Sequence, residues 1–343
     1  MSKTILLTIS PTHQIQCKYN ASEIVIDSVA DVFSLDGISS VPFIEKLVIK
    51  DCKNLHDISI LKKFQELRFL EIENCPNIKD FSPLNQIKRL KRLKCIGFLD
   101  LTILNSLHEN ANTKQLDVFQ DQYGFTGFMD NPNIQLYIQI QTQNINNLKP
   151  IISLRHCLKI GFHNSSNLQD ISILSEMRDV QDLSFDCCDS LEDLSPISQL
   201  PNVNRLVIQN CSSVKSLDKV LFNPALTELE VSDCNEIKSL SIPNKNALAV
   251  LKLHTNRKLE SLKGFQNLQF LRTLCIENCN LQNHLEDICS LTCLEELGLF
   301  YNNWDISEEF LMQLRNIKTL RIWTVNTKFN KTDNFANNND INM

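Results

Sequence analysis

Thirteen cysteines, seven histidines and several paired glutamates are the side chains of this chain best equipped for chemistry. A structural or catalytic metal needs such groups at ligand spacing. The tightest cysteine pairs are Cys187-Cys188 and Cys289-x-x-x-Cys293. Neither is a Cys-x-x-Cys knuckle, and no paired-histidine spacing follows them, so no metal site is expected. The histidines stand at 13, 56, 108, 156, 163, 254 and 284, with no Ser-His-Asp order or nucleophile elbow among them. The pairs Glu71/Glu73 and Glu228/Glu230 alternate as residues on one side of a strand do. A catalytic carboxylate pair needs a pocket that separates its pKa values. Without one they read as a solvated acidic surface. Only seven glycines occur in 343 residues, which argues against glycine-rich phosphate loops. No catalytic residues, no metal and no cofactor are expected.

Six of the cysteines obey a different logic. Leu67-x-x-Leu70-x-Ile72-x-x-Cys75, Val203-x-x-Leu206-x-Ile208-x-x-Cys211 and Leu271-x-x-Leu274-x-Ile276-x-x-Cys279 share one frame. The second apolar residue of that frame recurs at Ile26, Ile49, Ile72, Cys95, Val118, Ile138, Ile160, Phe185, Ile208, Val231, Leu253, Ile276, Leu299 and Ile322. The step is 22 or 23 residues, except 20 from Val118 to Ile138 and 25 from Ile160 to Phe185. A period of this length marks a repeat array, in which each unit completes its core by stacking on its neighbours. Alternation such as Leu70/Ile72 predicts a short strand with one buried side. Three residues on, Cys52, Cys75, Cys188, Cys211, Cys234 and Cys279 predict a small buried side chain in a tight turn. Asn256 and Asn302 take that place elsewhere and can bond the neighbouring turn's backbone. Asp57, Asp80 and Asp193, or Ser216, Ser239 and Ser261, then favour a turn by accepting from nearby backbone N–H groups.

This pattern resembles the leucine-rich-repeat family over essentially the whole folded chain. Asp80-Phe-Ser-Pro-Leu84, Asp193-Leu-Ser-Pro-Ile197, Asp57-Ile-Ser-Ile-Leu61 and Asp170-Ile-Ser-Ile-Leu174 are similar to the short repeats of internalins and of the phosphatase-regulating leucine-rich-repeat class. The Cys-x-x-Ile-x-Asp run resembles cysteine-containing repeats. The expected fold is α/β: a leucine-rich-repeat solenoid, horseshoe or right-handed coil, of about 14 repeats. It carries a parallel sheet on the concave face and short turns or helical stubs on the convex face. Residues 1–20 are expected to cap the array with a strand at Ile5–Ile9. Residues 21–323 form the solenoid, irregular around 97–160, and 324–343 are an Asn-rich disordered tail. The segment from Phe119 to Pro132 reads either as a binding loop or as a degenerate repeat.

The resemblance implies a non-enzymatic interaction scaffold or regulatory subunit that binds a partner protein on the concave face, with a phosphatase catalytic subunit as one such partner. Aromatic anchors in a polar rim are what a protein interface wants. Phe300, Tyr301, Trp304 and Trp323 supply them, with Arg321, Glu296 and Glu277 as charged rim. Trp304 and Trp323 can instead belong to a C-terminal cap. A second patch is Phe69, Phe119 and Tyr137, ringed by Arg92 and Lys94.

The net charge of −6 gives no footprint for nucleic acid. No apolar run reaches the ~18 residues of a membrane span, and no signal-peptide core is visible. A monomer with a cytoplasmic or nuclear address and free thiols is expected. The alternative is an exported, internalin-like adhesin or effector. It finds glycosylation acceptor motifs at Asn20, Asn164, Asn210 and Asn330, which an Asn-rich chain also contains by chance.

Overall fold

The computed structural model describes residues 4–18, 21–41, 43–97, 115–119, 137–141, 148–154, 157–281, 284–302, 304 and 306–324. They fall into two compact units, 1–167 and 168–343. Most of the irregular stretch and all of the tail beyond Thr324 lie outside the described residues, as does the loop after Phe119.

The first unit opens with an antiparallel hairpin, β1 (Thr4–Thr8) and β2 (Gln14–Lys18), a two-stranded element where the sequence suggested one strand. Leu7 and Ile9 are buried. Gly37 lies so close beneath the Thr8 carbonyl that a Cβ there would overlap it. Seven parallel strands follow: β3 (Glu23–Asp27), β4 (Lys46–Lys50), β5 (Phe69–Glu73), β6 (Arg92–Ile96), β7 (Gln115–Phe119), β8 (Tyr137–Gln141) and β9 (Lys159–His163). Each pairs with the next. Leu47, Ile49, Leu70 and Ile72 are fully buried, each worth roughly 1.5–3 kcal/mol of burial.

The second unit repeats the plan. Its parallel strands are β10 (Asp182–Asp186), β11 (Arg205–Gln209), β12 (Glu228–Ser232), β14 (Val250–His254), β16 (Thr273–Glu277), β17 (Glu296–Asn302) and β18 (Thr319–Thr324). They are paired in that order. A separate pair of short strands, β13 (Ser239–Ser241) and β15 (Ser261–Lys263), lies between them in sequence. The remaining described segments of both units are turns and helical stubs of at most six residues, as expected. None is long and apolar enough to cross a membrane.

The register corrects two frame assignments. Leu116 pairs with Ile138 and Val118 with Ile140. Ile138 then pairs with Ile160 and Ile140 with Phe162. The second apolar position therefore belongs to Ile140 and Phe162, not to Ile138 and Ile160. The sequence steps become 22, 22 and 23, and the apparent irregularity disappears. Leu136-Ile138-Ile140 and Leu158-Ile160-Phe162 each offer three alternating apolars. Local alternation cannot choose among them, because a shift by two keeps every side chain on its face.

Ten of the described strands end in, or are followed by, a non-glycine residue with positive φ: Ser28, Asp51, Asn74 and Asn164 in the first unit, and Cys187, Asn210, Asp233, Thr255, Asn278 and Tyr301 in the second. Here the chain breaks sharply from the sheet. The amide at the break bonds the next turn, as in Asp51 N–H to Glu73 O at 2.9 Å and Asn210 N–H to Ser232 O at 2.9 Å. The aspartate turns form as the sequence indicated. Asp57, Asp80, Asp170 and Asp193 each accept the backbone N–H two residues on at 2.8 Å.

Candidate functional site

The side of each strand away from the core presents three positions per turn, and parallel pairing aligns them in columns. In the first unit Lys46, Phe69 and Arg92 align across β4, β5 and β6. The Lys46 ammonium lies 5.6 Å and the Arg92 guanidinium 5.7 Å from the centre of the Phe69 ring, a cation–π arrangement on both sides. One column over, Glu71 stands 3.6 Å from both Lys50 and Lys94, and Lys50 pairs with Glu73 at 2.8 Å. The hydrogen bond that Lys50 donates to Glu73 is the main cause that raises the Lys50 pKa.

In the second unit three carboxylates converge on one guanidinium. Arg205 lies 3.3 Å from Asp182, 3.1 Å from Glu228 and 3.8 Å from Glu230. Burial works against the Arg205 charge, but the three carboxylates outweigh it and raise its pKa. Glu230 also faces Lys252 at 3.8 Å and accepts from Gln209 at 3.2 Å. Further along, His254 Nδ1 meets Glu277 at 2.9 Å. Then comes a shallow apolar platform. Gly298 pairs with Cys275, and the Phe300 ring folds back over Gly298, so that a Cβ there would stand 2.6 Å from the ring. Tyr301 follows, 52% exposed.

In each unit small side chains line up behind the strands. Cys52, Cys75, Cys188, Cys211, Cys234 and Cys279 are buried free thiols. Cys52, Cys75, Cys211 and Cys279 each donate to the carbonyl two residues back at 3.2 Å. Asn256 and Asn302 do more in the same place. The Asn256 carboxamide accepts from the Cys234 N–H at 3.0 Å and donates to the Val231 carbonyl at 2.8 Å. Asn302 does the same for Cys279 N–H and Ile276 O, at 3.0 and 2.7 Å. Strand, buried small residue and turn thus recur every 22 or 23 residues as one stacked unit. A family model for the BspA-type leucine-rich repeat region matches in six copies, over residues 133–230 and 159–283. Residues 133–283, the matched stretch, carry leucine-rich repeats.

Among solved structures, an internalin (inlF) of Listeria monocytogenes is 17% identical, with 89% of each chain covered and a TM-score of 0.48. The functional domain of InlJ from the same organism, described as including a cysteine ladder, is 13% identical, with 90% of this chain and 76% of that one covered and a TM-score of 0.45. None of the curated proteins matches the sequence.

The repeat protein places the expected anchor residues unevenly. Glu296, Phe300 and Arg321 share the open face of β17 and β18, with Arg321 opposite Gly298 and Trp323 opposite Phe300. Glu277 pairs with Phe300 on the other side. The side chain of Trp323 lies outside the described residues. Trp304 does not belong to this surface. It is 2% exposed, and its indole is buried beyond a partner's reach. The second patch does not assemble as proposed either. Phe69 and Arg92 touch, but Tyr137 sits two strands beyond Arg92 in that column, opposite Gln115 and Lys159. Phe119 occupies the opposite end of its strand, paired with Ile96 and Gln141, and Lys94 serves the Glu71 cluster. The charge knot on Arg205 is the feature that the sequence reading left as loose surface carboxylates. Its signal was there: opposite charges 23 residues apart, in register.

Proposed function

We propose that this repeat protein is a non-enzymatic interaction scaffold or regulatory subunit, working inside the cell, that binds a partner protein on the open face of its sheet around Phe300 and Tyr301. The observation that carries this is the backbone of Tyr301, with φ of 51°. Nine other described turns hold that conformation with Ser, Asp, Asn, Cys or Thr. Asn and Asp tolerate the left-handed region best, whereas a bulky side chain there stores strain of order 1 kcal/mol or more. Here the chain keeps a half-exposed aromatic beside a second aromatic, in a rim that includes Glu277, Glu296 and Arg321. Aromatic anchors in a charged rim suit protein recognition. The buried free thiols support a reducing address. The similarity of the aspartate turns to the phosphatase-regulating class makes a phosphatase catalytic subunit the first partner to test.

The test is Tyr301→Asn, which puts at this turn the residue type of Asn74, Asn210 and Asn278. The variant should be at least as stable as the parent in urea. It should nevertheless lose capture of the partner that the parent retains from lysate. Undiminished capture by Tyr301→Asn combined with Phe300→Ala sinks the proposal.

A further inference from the structure

We propose that the outer edge of β3 docks an extended segment of a partner protein in which basic, β-branched and basic side chains alternate, as in Lys-x-Val-x-Lys. This surface is separate from the one around Tyr301, and neither reading depends on the other.

The backbone argues for an added strand. β3 is the last strand of its sheet and pairs with β4 alone among the described strands. The Ser22 carbonyl accepts from the Lys46 N–H at 2.8 Å, and the Ser28 N–H donates to the Lys50 carbonyl at 2.9 Å. In a parallel pair, alternate residues of a strand turn both backbone groups toward the same neighbour. Ile24 and Ile26 share the parity of Ser22 and Ser28, so they serve β4. Glu23, Val25 and Asp27 therefore turn their N–H and C=O groups outward. The hairpin docks elsewhere. Ser10 in its turn donates to Asp31 at 2.7 Å and its Thr8 carbonyl lies on Gly37, both in the segment that follows β3. No backbone hydrogen bond joins the described hairpin residues to β3. A row of outward backbone groups on an edge strand is a template for another strand.

The side chains argue for the sequence of that strand. Ile24 and Ile26 are buried, so Glu23, Val25 and Asp27 stand on the open face, and all three are exposed. Val25 is 46% exposed, whereas Val48, in the same column with a strand on each side, is 6% exposed. A strand laid along the edge would cover Val25 as β3 and β5 cover Val48. β4 already shows which side chains suit this row. It sets Lys46 against Glu23, Val48 against Val25 and Lys50 against Asp27, and the first pair closes to an ion pair at 2.7 Å. A segment with the same alternation repeats these pairs on the outer side. Basic, apolar, basic reads the same in both directions, so it fits parallel or antiparallel. A second copy of β3 does not fit. Antiparallel pairing centred on Val25 would set each Glu23 against an Asp27, and like charges directly opposite are destabilising.

The probe is a fluorescently labelled, capped heptapeptide, Gly-Lys-Thr-Val-Thr-Lys-Gly, titrated into the full chain by anisotropy. Its control carries glutamate at both lysine positions. The lysine peptide should bind at least about tenfold tighter, because the change turns two opposite-charge pairs into two like-charge pairs. Glu23→Lys combined with Asp27→Lys, two exposed positions whose replacement leaves the core untouched, should reverse that order. Hydrogen exchange reads the backbone directly. In the free chain the Val25 amide should exchange at least about tenfold faster than the Ile26 amide, and saturating lysine peptide should slow it at least about tenfold. Equal binding of the two peptides, or a Val25 amide that the lysine peptide does not slow, overturns the inference. So does a Val25 amide already protected without peptide: protection that rises with chain concentration assigns the edge to a second copy, and protection independent of concentration assigns it to the chain itself.

Discussion

Replacing Asn256 by alanine should cost far more than its size suggests. The side chain is fully buried and holds two backbone groups, the Cys234 N–H at 3.0 Å and the Val231 carbonyl at 2.8 Å. Alanine leaves both without that partner in a site closed to water. A buried polar group that loses its partner costs about 1–3 kcal/mol, so the pair predicts about 2–5 kcal/mol. Asn256→Cys installs the residue of most neighbouring turns. It restores packing and a thiol donor like that of Cys211, but no acceptor for the Cys234 amide, and should fall between parent and alanine. Asn302→Ala removes the same two bonds two strands away, about 10 Å distant, and should add to the first change nearly independently. Repeat arrays can unfold in stages, so urea midpoints alone are insufficient. Hydrogen exchange at the Cys234 amide reads the lost bond directly and should accelerate at least about tenfold. A loss below about 0.5 kcal/mol with unchanged exchange at Cys234 would refute the view that these asparagines act as hydrogen-bonding rungs.

The exposed Cys293 should react with iodoacetamide at pH 8 well before Cys187, whose thiol is pushed up to about 12 by burial and by the neighbouring Asp186 carboxylate; peptide mass spectrometry showing equal rates would contradict this. Backbone N–H bonds from Ser59, Ser172 and Ser195 hold the carboxyls of Asp57, Asp170 and Asp193 below the ordinary 3.8. A depressed folded pKa means that the contribution to stability is present above about 3.9 and is lost as pH falls through the lower folded value. These groups are largely exposed, so the effect on stability is small, and the check is an NMR titration in which all three midpoints fall below 3.8. Gly37→Ala should destabilise the first unit by about 1–3 kcal/mol, because its Cβ meets the rigid Thr8 backbone rather than a side chain that can turn away. Faster proteolysis within residues 1–20 would report it, and an unchanged cleavage rate would count against the close approach.

The amino-acid sequence by itself determined the repeat, the buried strand pairs such as Leu70/Ile72 and Leu206/Ile208, the small buried residue in each turn and the aspartate turns. All of these are set within one period by alternation, size and side-chain-to-backbone bonding. Tertiary structure alone decided which turn sits against which. Strand alternation is unchanged by a slip of two, so only pairing with Leu116 and Val118 could move the frame to Ile140 and Phe162. Only pairing placed Phe119 at the far end of its strand from the Phe69 column. Burial of Trp304 was equally open in sequence, because an aromatic after a strand satisfies an anchor or a core. The knot on Arg205 exists because residues 23 apart meet side by side in parallel strands. Periodicity states which residues are equivalent; contact between them depends on hydrogen-bond register across the sheet, which is a non-local property.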